Sequence, residues 1–342
     1  MKTYTIVLIG LGATGVAMGT SLARRPDCKI VGAADVDPSK AGQRLGALIS
    51  DESSDVVVVD SIRALPDADI AFVATTSFVR DLEATLTDLA RRKMNVVSIC
   101  EELGHPFRSH PDLSERLDKV ARDNGVSILG TGCNPGMLMD SLPTVLSSLT
   151  QRVSRVEIRR TADMSGYGAI LRKFGLGLDT EAFQEAQSAG HVVGHVGFEQ
   201  SVQALAAALG WELDEIVVDD PEPAFISERA RHGDHFTIEP GTIAAVRHAV
   251  QGRRDGVVMI DAAIHFGFFE EYDPVDPGDH WLIHGEEQML ELRASSGFDS
   301  FLSTIAVASN SITAVADAPA GLRTMADLPI GAVASKGALR TL

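Results

Sequence analysis

Short apolar runs rich in Val and Ile alternate with longer amphipathic stretches through the first 130 residues. The runs fall at Thr5–Ile9, Lys29–Ala34, Val56–Val59, Ile70–Ala74, Asn95–Ile99 and Val126–Leu129, several of them continuous as in strands buried on both faces. Helical spacing fills the gaps at Thr14–Arg24, Ser39–Leu48, Val79–Arg92 and Leu113–Asn124. Repeated strand–helix alternation of this kind predicts an α/β fold, a doubly wound parallel sheet with right-handed crossovers.

The pattern changes after Thr131. Asn134-Pro135 reads as a helix start, with Asn as the cap and Pro in the first helical position, leading into Met137–Leu149. A charged strand-like run (Arg152–Thr161), a glycine-punctuated region (Gly166–Gly177) and helical patterns at Thr180–Ala189 and Gln200–Leu209 follow. Thr242–Gln251 and Val257–Phe269 read as strands joined by a turn over Gly252–Gly256. Trp281–His284 and Gln288–Arg293 read as further strands, and Phe298–Val315 as a closing helix. A second, α+β domain over 134–297 is therefore expected after a first over 1–133, with 298–342 packing back onto the first.

Composition narrows the partners. The 342 residues suit two domains, and 30 Lys+Arg against 47 Asp+Glu leave a net charge of −17. Such a field repels phosphate, so neither nucleic acid nor a membrane surface is expected as a partner, and a small molecule is. Cys28, Cys100 and Cys133 are odd in number and lack the close spacing of a zinc knuckle or disulfide framework, which fits a reducing, cytoplasmic setting. There is no run of 18 apolar residues, and glycines interrupt the Tyr4–Leu11 stretch, so neither a transmembrane helix nor a signal peptide is expected.

Gly10-Leu11-Gly12-Ala13-Thr14-Gly15 is a GxGxxG motif in the context that gives it meaning: it follows a strand, opens a helix and precedes Asp35 at the end of the next strand. Gly10 would permit the tight turn, Gly12 the approach of a pyrophosphate and Gly15 close helix–strand packing, while the helix start, with Ala13 and Thr14, offers N–H groups to the anion. These features predict a Rossmann domain. Asp35 would bond the adenosine ribose hydroxyls and disfavour a 2′-phosphate, so NAD is favoured over NADP, although Lys40 and Arg44 on the following predicted helix could meet that phosphate.

Residues after the later strands should surround a nicotinamide. Thr75, Thr76, Ser77, Cys100 and Asn134 are candidates for its carboxamide and ribose. Glu101 and Glu102 suit proton transfer or ammonium binding, and equally suit the acidic start of a helix. His191 and His195 are four apart without a third ligand or an intervening HExxH glutamate, so no metal site is expected, and spacing alone makes His195 a pocket-lining or capping residue. Neither GxSxG nor a P-loop is present.

The GLGATG, AADVDPSKAG, NVVSICEEL, GTGCNPGMLMDSLP and GHVGFEQSV segments together resemble the 2,4-diaminopentanoate dehydrogenase family, which includes the native amine dehydrogenases, from residue 4 to about residue 215. Beyond that the similarity thins to PGTIAAVRHAVQG and TMADLP. SICEEL and GTGCNPGMLMD also separate the chain from dihydrodipicolinate reductases. The resemblance implies a Rossmann domain, an α+β substrate and dimerisation domain, and a homodimer with its active site between the domains. The implied activity is NAD(P)-dependent oxidative deamination of an amine and, in reverse, amination of a ketone or aldehyde with ammonia. It makes a glutamate of CEEL catalytic, Glu101 or Glu102, makes His195 a substrate contact and sets Asn134 beside the nicotinamide. Met137, Leu138, Tyr167, Phe174 and Leu176 are candidate apolar walls. A diamino acid would need counter-charges, and Arg159, Arg160, Arg172 and Lys173 are the cations available for them. The rival readings are an ammonia-independent imine or carbonyl reductase and a non-catalytic NAD(P)-binding module.

Overall fold

The structure is a computed structural model and describes residues 2–329. It divides into two compact units, one built from the chain up to Leu138 together with the chain from Phe301 onward, the other from Met139–Ser300. The predicted segment 298–342 falls partly, at 330–342, outside the described residues.

The first unit runs β1 (Tyr4–Ile9), α1 (Ala13–Ala23), β2 (Cys28–Ala34), α2 (Leu45–Ile49), β3 (Val58–Val59), β4 (Ile70–Val73), α3 (Val79–Arg91), β5 (Asn95–Ser98), α4 (Pro111–Asn124) and β6 (Ser127–Gly130). The strands lie parallel in the order β6-β5-β4-β1-β2-β3. This is the doubly wound Rossmann order, and its direction reverses between β1 and β4, where such sheets bind ligands. One apolar layer packs α3 and α4 on the sheet through Val79, Leu82, Leu86, Leu113 and Leu117; the other is centred on Ile6, Leu8, Met18, Leu22 and Phe72. Buried on both faces, the strands carry the continuous apolar runs that revealed them.

The second unit holds α5 (Ser141–Ser147), β7 (Arg155–Asp163), α6 (Thr180–Ser188), α7 (Phe198–Ala208), β8 (Glu215–Val218), β9 (Glu222–Ile226), β10 (Arg231–His232), β11 (Thr237–Ile238), β12 (Ile243–Arg254), β13 (Val257–Gly267), β14 (Asp279–His284) and β15 (Met289–Ala294). Its main sheet is mixed, in the order β15-β14-β7-β13-β12-β8, with β9 pairing β12. The chain then forms α8 (Ser300–Asn310), α9 (Ile312–Asp317) and β16 (Gly321–Arg323), which adds to the first sheet beside β6.

Four local expectations are corrected. Ser39–Leu48 is not one helix: Asp37 accepts the Ser39 N–H at 2.9 Å in a side-chain turn, Gly42 sits at φ +85°, and only Leu45–Ile49 coils. Asn134 does not cap a helix; 134–140 form turns through a cis Asn134–Pro135 bond, Gly136 at φ +132° leaves helical space, and α5 starts after Asp140. The β12–β13 turn is shorter than expected, just Asp255-Gly256 at φ 51° and 75°, as a type I′ hairpin requires. The closing helix breaks at Ser311, whose hydroxyl donates to the Val307 carbonyl at 2.8 Å.

Candidate active site

The crest of the parallel sheet gathers the predicted cofactor residues at the carboxyl ends of its strands. Gly10 follows β1 at φ +85°, and a Cβ there would lie 2.5 Å from the Ala74 carbonyl oxygen. At Gly15 a Cβ would meet the Gly10 carbonyl at 1.9 Å, so the helix can start this close to the turn only with glycine. Around Gly12 nothing lies within 4 Å of a Cβ; the loop is open where a pyrophosphate would approach. Gly12 and Ala13 are exposed at the α1 N-terminus, where N–H groups have no partner within the helix. The residues present therefore fit a dinucleotide.

Asp35 stands at the end of β2. Its carboxylate accepts the Leu11 N–H at 2.6 Å and the Asp37 N–H at 2.8 Å, and Lys40 Nζ lies 3.3 Å away. Burial alone would raise this carboxyl, but the bonds from Asp37, Leu11 and Lys40 outweigh it and hold Asp35 below its ordinary range. Lys40 sits in a turn rather than on the expected helix, and it pairs with both Asp35 and Asp37. Arg44 pairs with exposed Asp55.

After β4 and β5 the side chains take separate jobs. Thr75 is exposed, its methyl near the Gly10 position; Thr76 accepts the Phe78 N–H at 3.2 Å; Ser77 bonds the Glu101 carboxyl. A 3₁₀ turn, Glu101–Gly104, follows β5 and sets the two adjacent glutamates in different surroundings. Glu102 Oε2 accepts the Val79 N–H at 2.9 Å, at the start of α3, and pairs with His110 Nε2 at 3.2 Å. Its own N–H donates to the Ser77 carbonyl, so Glu102 ties the turn to α3. Glu101 is different. Burial raises its carboxyl above the ordinary range, the Ser77 bond opposes that shift, and the neighbouring Glu102 charge adds to it.

Pro135 packs on the end of the same turn, 2.7 Å from where a Gly104 Cβ would be, and Asn134 before it is half-buried. Cys100 corrects the expectation placed on it. At 1% exposure its thiol belongs to the core, and burial pushes it up to about 12.

In the second unit, His195 Nε2 is buried without a hydrogen-bond partner among the described residues, within a set of rings. Phe198 meets the imidazole edge-on at 4.8 Å, Phe266 lies 6.2 Å away, and Phe174 stacks on Phe266 at 4.8 Å. His248 supports the loop from below: its Nδ1 accepts the His195 N–H at 2.8 Å, and its ring lies so near Gly194 that a Cβ would come within 2.2 Å. Burial, with His248 and the positive charge of Arg160 adding to it, pushes the His195 imidazole down to about 3, so it stays neutral. Leu176 is core at 1% exposure, Tyr167 closes a turn on the Met164 carbonyl, and Met137 lies half-buried in the first unit.

The profile of the 2,4-diaminopentanoate dehydrogenase C-terminal domain family matches residues 137–341. The chain is 30% identical over 340 residues to 2,4-diaminopentanoate dehydrogenase of Acetoanaerobium sticklandii, covering 96% of this chain and 94% of that one. This chain belongs to the 2,4-diaminopentanoate dehydrogenase family. An amine dehydrogenase of Streptomyces virginiae is 26% identical over 263 residues, 73% of this chain and 71% of its own. The fold matches the structure of amine dehydrogenase from Mycobacterium smegmatis with TM-score 0.79 at 24% identity, over 95% and 96% of the two chains. More distantly, scyllo-inositol dehydrogenase from Lactobacillus casei shares the fold with TM-score 0.53 at 14% identity, over 91% and 89%.

Within this family member, His110 joins the glutamate turn of the first unit, and Phe198, Phe266 and His248 gather at His195 in the second, without having been singled out in the sequence. Phe198 stands three residues after His195 in GHVGF, a one-turn spacing that was available as a signal. His248 had none, because it meets the His195 N–H across 53 residues.

Proposed function

We propose that the protein is an NAD(P)-dependent amine dehydrogenase that deaminates an amine oxidatively and, in reverse, aminates a ketone or aldehyde, with Glu101 as the proton-transfer group. The observation that carries this is a half-buried carboxyl, raised by desolvation, on the crest of the sheet that bears the glycine loop, in a chain of this family. Gly10, Gly12, Ala13, Thr14, Gly15 and Thr75 would hold the dinucleotide, and Asp35, already dressed by two N–H groups, favours NAD over NADP through its remaining lone pairs. When bound, the nicotinamide supplies the hydride.

The protein's part is proton management and orientation. Glu101 receives ammonium, takes one proton as the nitrogen attacks the carbonyl carbon, and returns it as the carbinolamine oxygen leaves as water. The resulting iminium carbon is the position that the hydride of a bound nicotinamide would reduce. In sum, carbonyl, ammonium, hydride and one further proton give protonated amine and water. A carboxyl raised above its ordinary range holds a proton more readily than a free one and is the better suited to returning it to a leaving oxygen. Ser77 orients Glu101, Asn134 would stand beside the nicotinamide, and His195 would be a substrate contact.

No helix among the described residues is long and apolar enough to cross a membrane. We place the enzyme in the cytoplasm as a homodimer; its three cysteines are free and buried, which suits a reducing compartment. The test is oxidation of NADH or NADPH with a panel of small ketones, with and without ammonium. Turnover that requires ammonium supports the reading. Equal turnover without it would identify an ammonia-independent reductase instead.

A further inference from the structure

We propose that Asp37 is a specificity-determining residue for the cofactor: it gives the Lys40 ammonium a second seat beside Asp35, keeps that cation from a 2′-phosphate and so enforces NAD. The inference deepens the amine dehydrogenase reading and rests on Asp35 as its ribose-binding residue. Lys40 Nζ lies 3.3 Å from Asp35 Oδ2 and 3.5 Å from Asp37 Oδ2, one cation bridging two carboxylates. The local chain holds it there. Lys40 and Ala41 donate their N–H groups to the Asp37 carbonyl at 2.9 and 3.1 Å, which folds residue 40 back toward the end of β2. Asp37 is fixed in turn, because its Oδ1 accepts the Ser39 hydroxyl at 2.7 Å and the Ser39 N–H at 2.9 Å, leaving Oδ2 to the ammonium. The Ser39 hydroxyl first, and its N–H second, hold the Asp37 carboxyl below its ordinary range, so it stays charged at neutral pH.

Lone pairs and charge then decide between the two cofactors. A carboxylate has about four acceptor sites, and on Asp35 the Leu11 N–H, the Asp37 N–H and Lys40 occupy three of them. Two ribose hydroxyls need two sites, so Lys40 leans onto Asp37 when NAD binds. A 2′-phosphate gives Asp35 one hydroxyl fewer to bond and needs the ammonium for itself. Asp37 opposes that twice, by competing for Lys40 and by its own charge, since two carboxylates and one ammonium leave this end of β2 net negative. Arg44 offers no substitute, because it is turned to the Asp55 carboxylate at 2.6 Å and the Ser54 carbonyl at 3.2 Å.

Fluorescence titration of the full chain with NADH and with NADPH tests this without turnover. Wild type is expected to bind NADH more tightly. Asp37→Asn keeps the backbone N–H that braces Asp35 but frees Lys40 for the phosphate, so NADPH should bind about tenfold more tightly and NADH up to about threefold more weakly. Adding Lys40→Gln to Asp37→Asn should remove most of the NADPH gain, which relief of repulsion alone would not. Asp37→Ser, whose hydroxyl can form the same kind of turn, is expected to repeat the Asp37→Asn result. An unchanged ratio of the two affinities in either single variant that melts as wild type does, a gain that survives Lys40→Gln, or a wild type that prefers NADPH overturns the inference. Each of these leaves the amine dehydrogenase reading standing. A wild type that binds neither cofactor and oxidises neither in the presence of ammonium and any ketone of the panel would sink that reading itself.

Discussion

The crest of the first sheet and the aromatic box of the second handle polar groups in opposite ways. On the crest nearly every polar side chain is answered by its neighbours: Asp35 by two N–H groups and Lys40, Glu102 by the Val79 N–H and His110, Thr76 by the Phe78 N–H. In the box a single nitrogen stands unanswered among rings. A crest built this way presents preset charge to a large polar ligand, whereas the box leaves its specificity to shape and one bond. Glu101 shares features of both, since it bonds Ser77 yet pays a desolvation cost that raises its carboxyl.

The comparison can be strained from either side. Beneath the box, Asp279→Ala would strip the Arg160 guanidinium of a carboxylate that also accepts the Phe298 N–H at 2.9 Å. Breaking a buried pair of this kind costs about 3–5 kcal/mol, and a denaturation midpoint that barely moves would show that the pair does not support the sheet. Gly194→Ala forces a Cβ onto the His248 ring; overpacking costs about 1–3 kcal/mol. That change should raise the ketone KM along with it, and a normal KM would mean that the His195 loop does not need its seat on His248.

The crest should respond more gently. Asp35→Asn keeps the size but not the charge, and loss of a charged hydrogen bond of about 1.5–3 kcal/mol predicts NAD binding weaker by about ten- to hundredfold, with NADP affected less. Titration of cofactor fluorescence reads this directly; equal losses for both cofactors would move selectivity to another residue. The smallest effect concerns Glu101 and stability. Because burial raises its folded carboxyl, its contribution to stability is fully present below the unfolded value near 4.3 and is lost as pH rises through the folded one. Glu101→Gln should therefore melt above wild type at pH 8, with the gap closing toward pH 4. A lower melting temperature at pH 8 would contradict the burial argument.

Much of this was legible in the chain. Val/Ile runs buried on both faces announced the parallel strands, and the glycine loop with Asp35 after the second strand announced the switch point, because both depend on local pattern. Short strands such as β10, β11 and β16 carried too few residues for a period to show. Which glutamate does what was hidden, since a 3₁₀ turn sends adjacent side chains to different neighbours and only tertiary structure supplies Val79 and His110 on one side and burial on the other. Lys40 misled for a related reason: its charge was visible, but the side-chain turn at Asp37 that aims it at Asp35 overrode the helical pattern. The box combined residues from GHVGF, β12, β13 and the turn before Gly175, a long-range convergence that no spacing encodes.

The division of labour between the paired glutamates is the central claim, and one side-by-side measurement tests it. With a ketone from the panel that supports ammonium-dependent turnover, and with ammonium and reduced cofactor at saturation, Glu101→Gln should lower kcat by about 10²–10⁴-fold while folding normally, as removal of a general acid–base does. Glu102→Gln should keep kcat within about tenfold and lose stability instead, because a cap on α3 worth about 1 kcal/mol is weakened. A folded Glu101→Gln enzyme that turns over normally, or a Glu102→Gln enzyme that folds but is silent, would contradict the account.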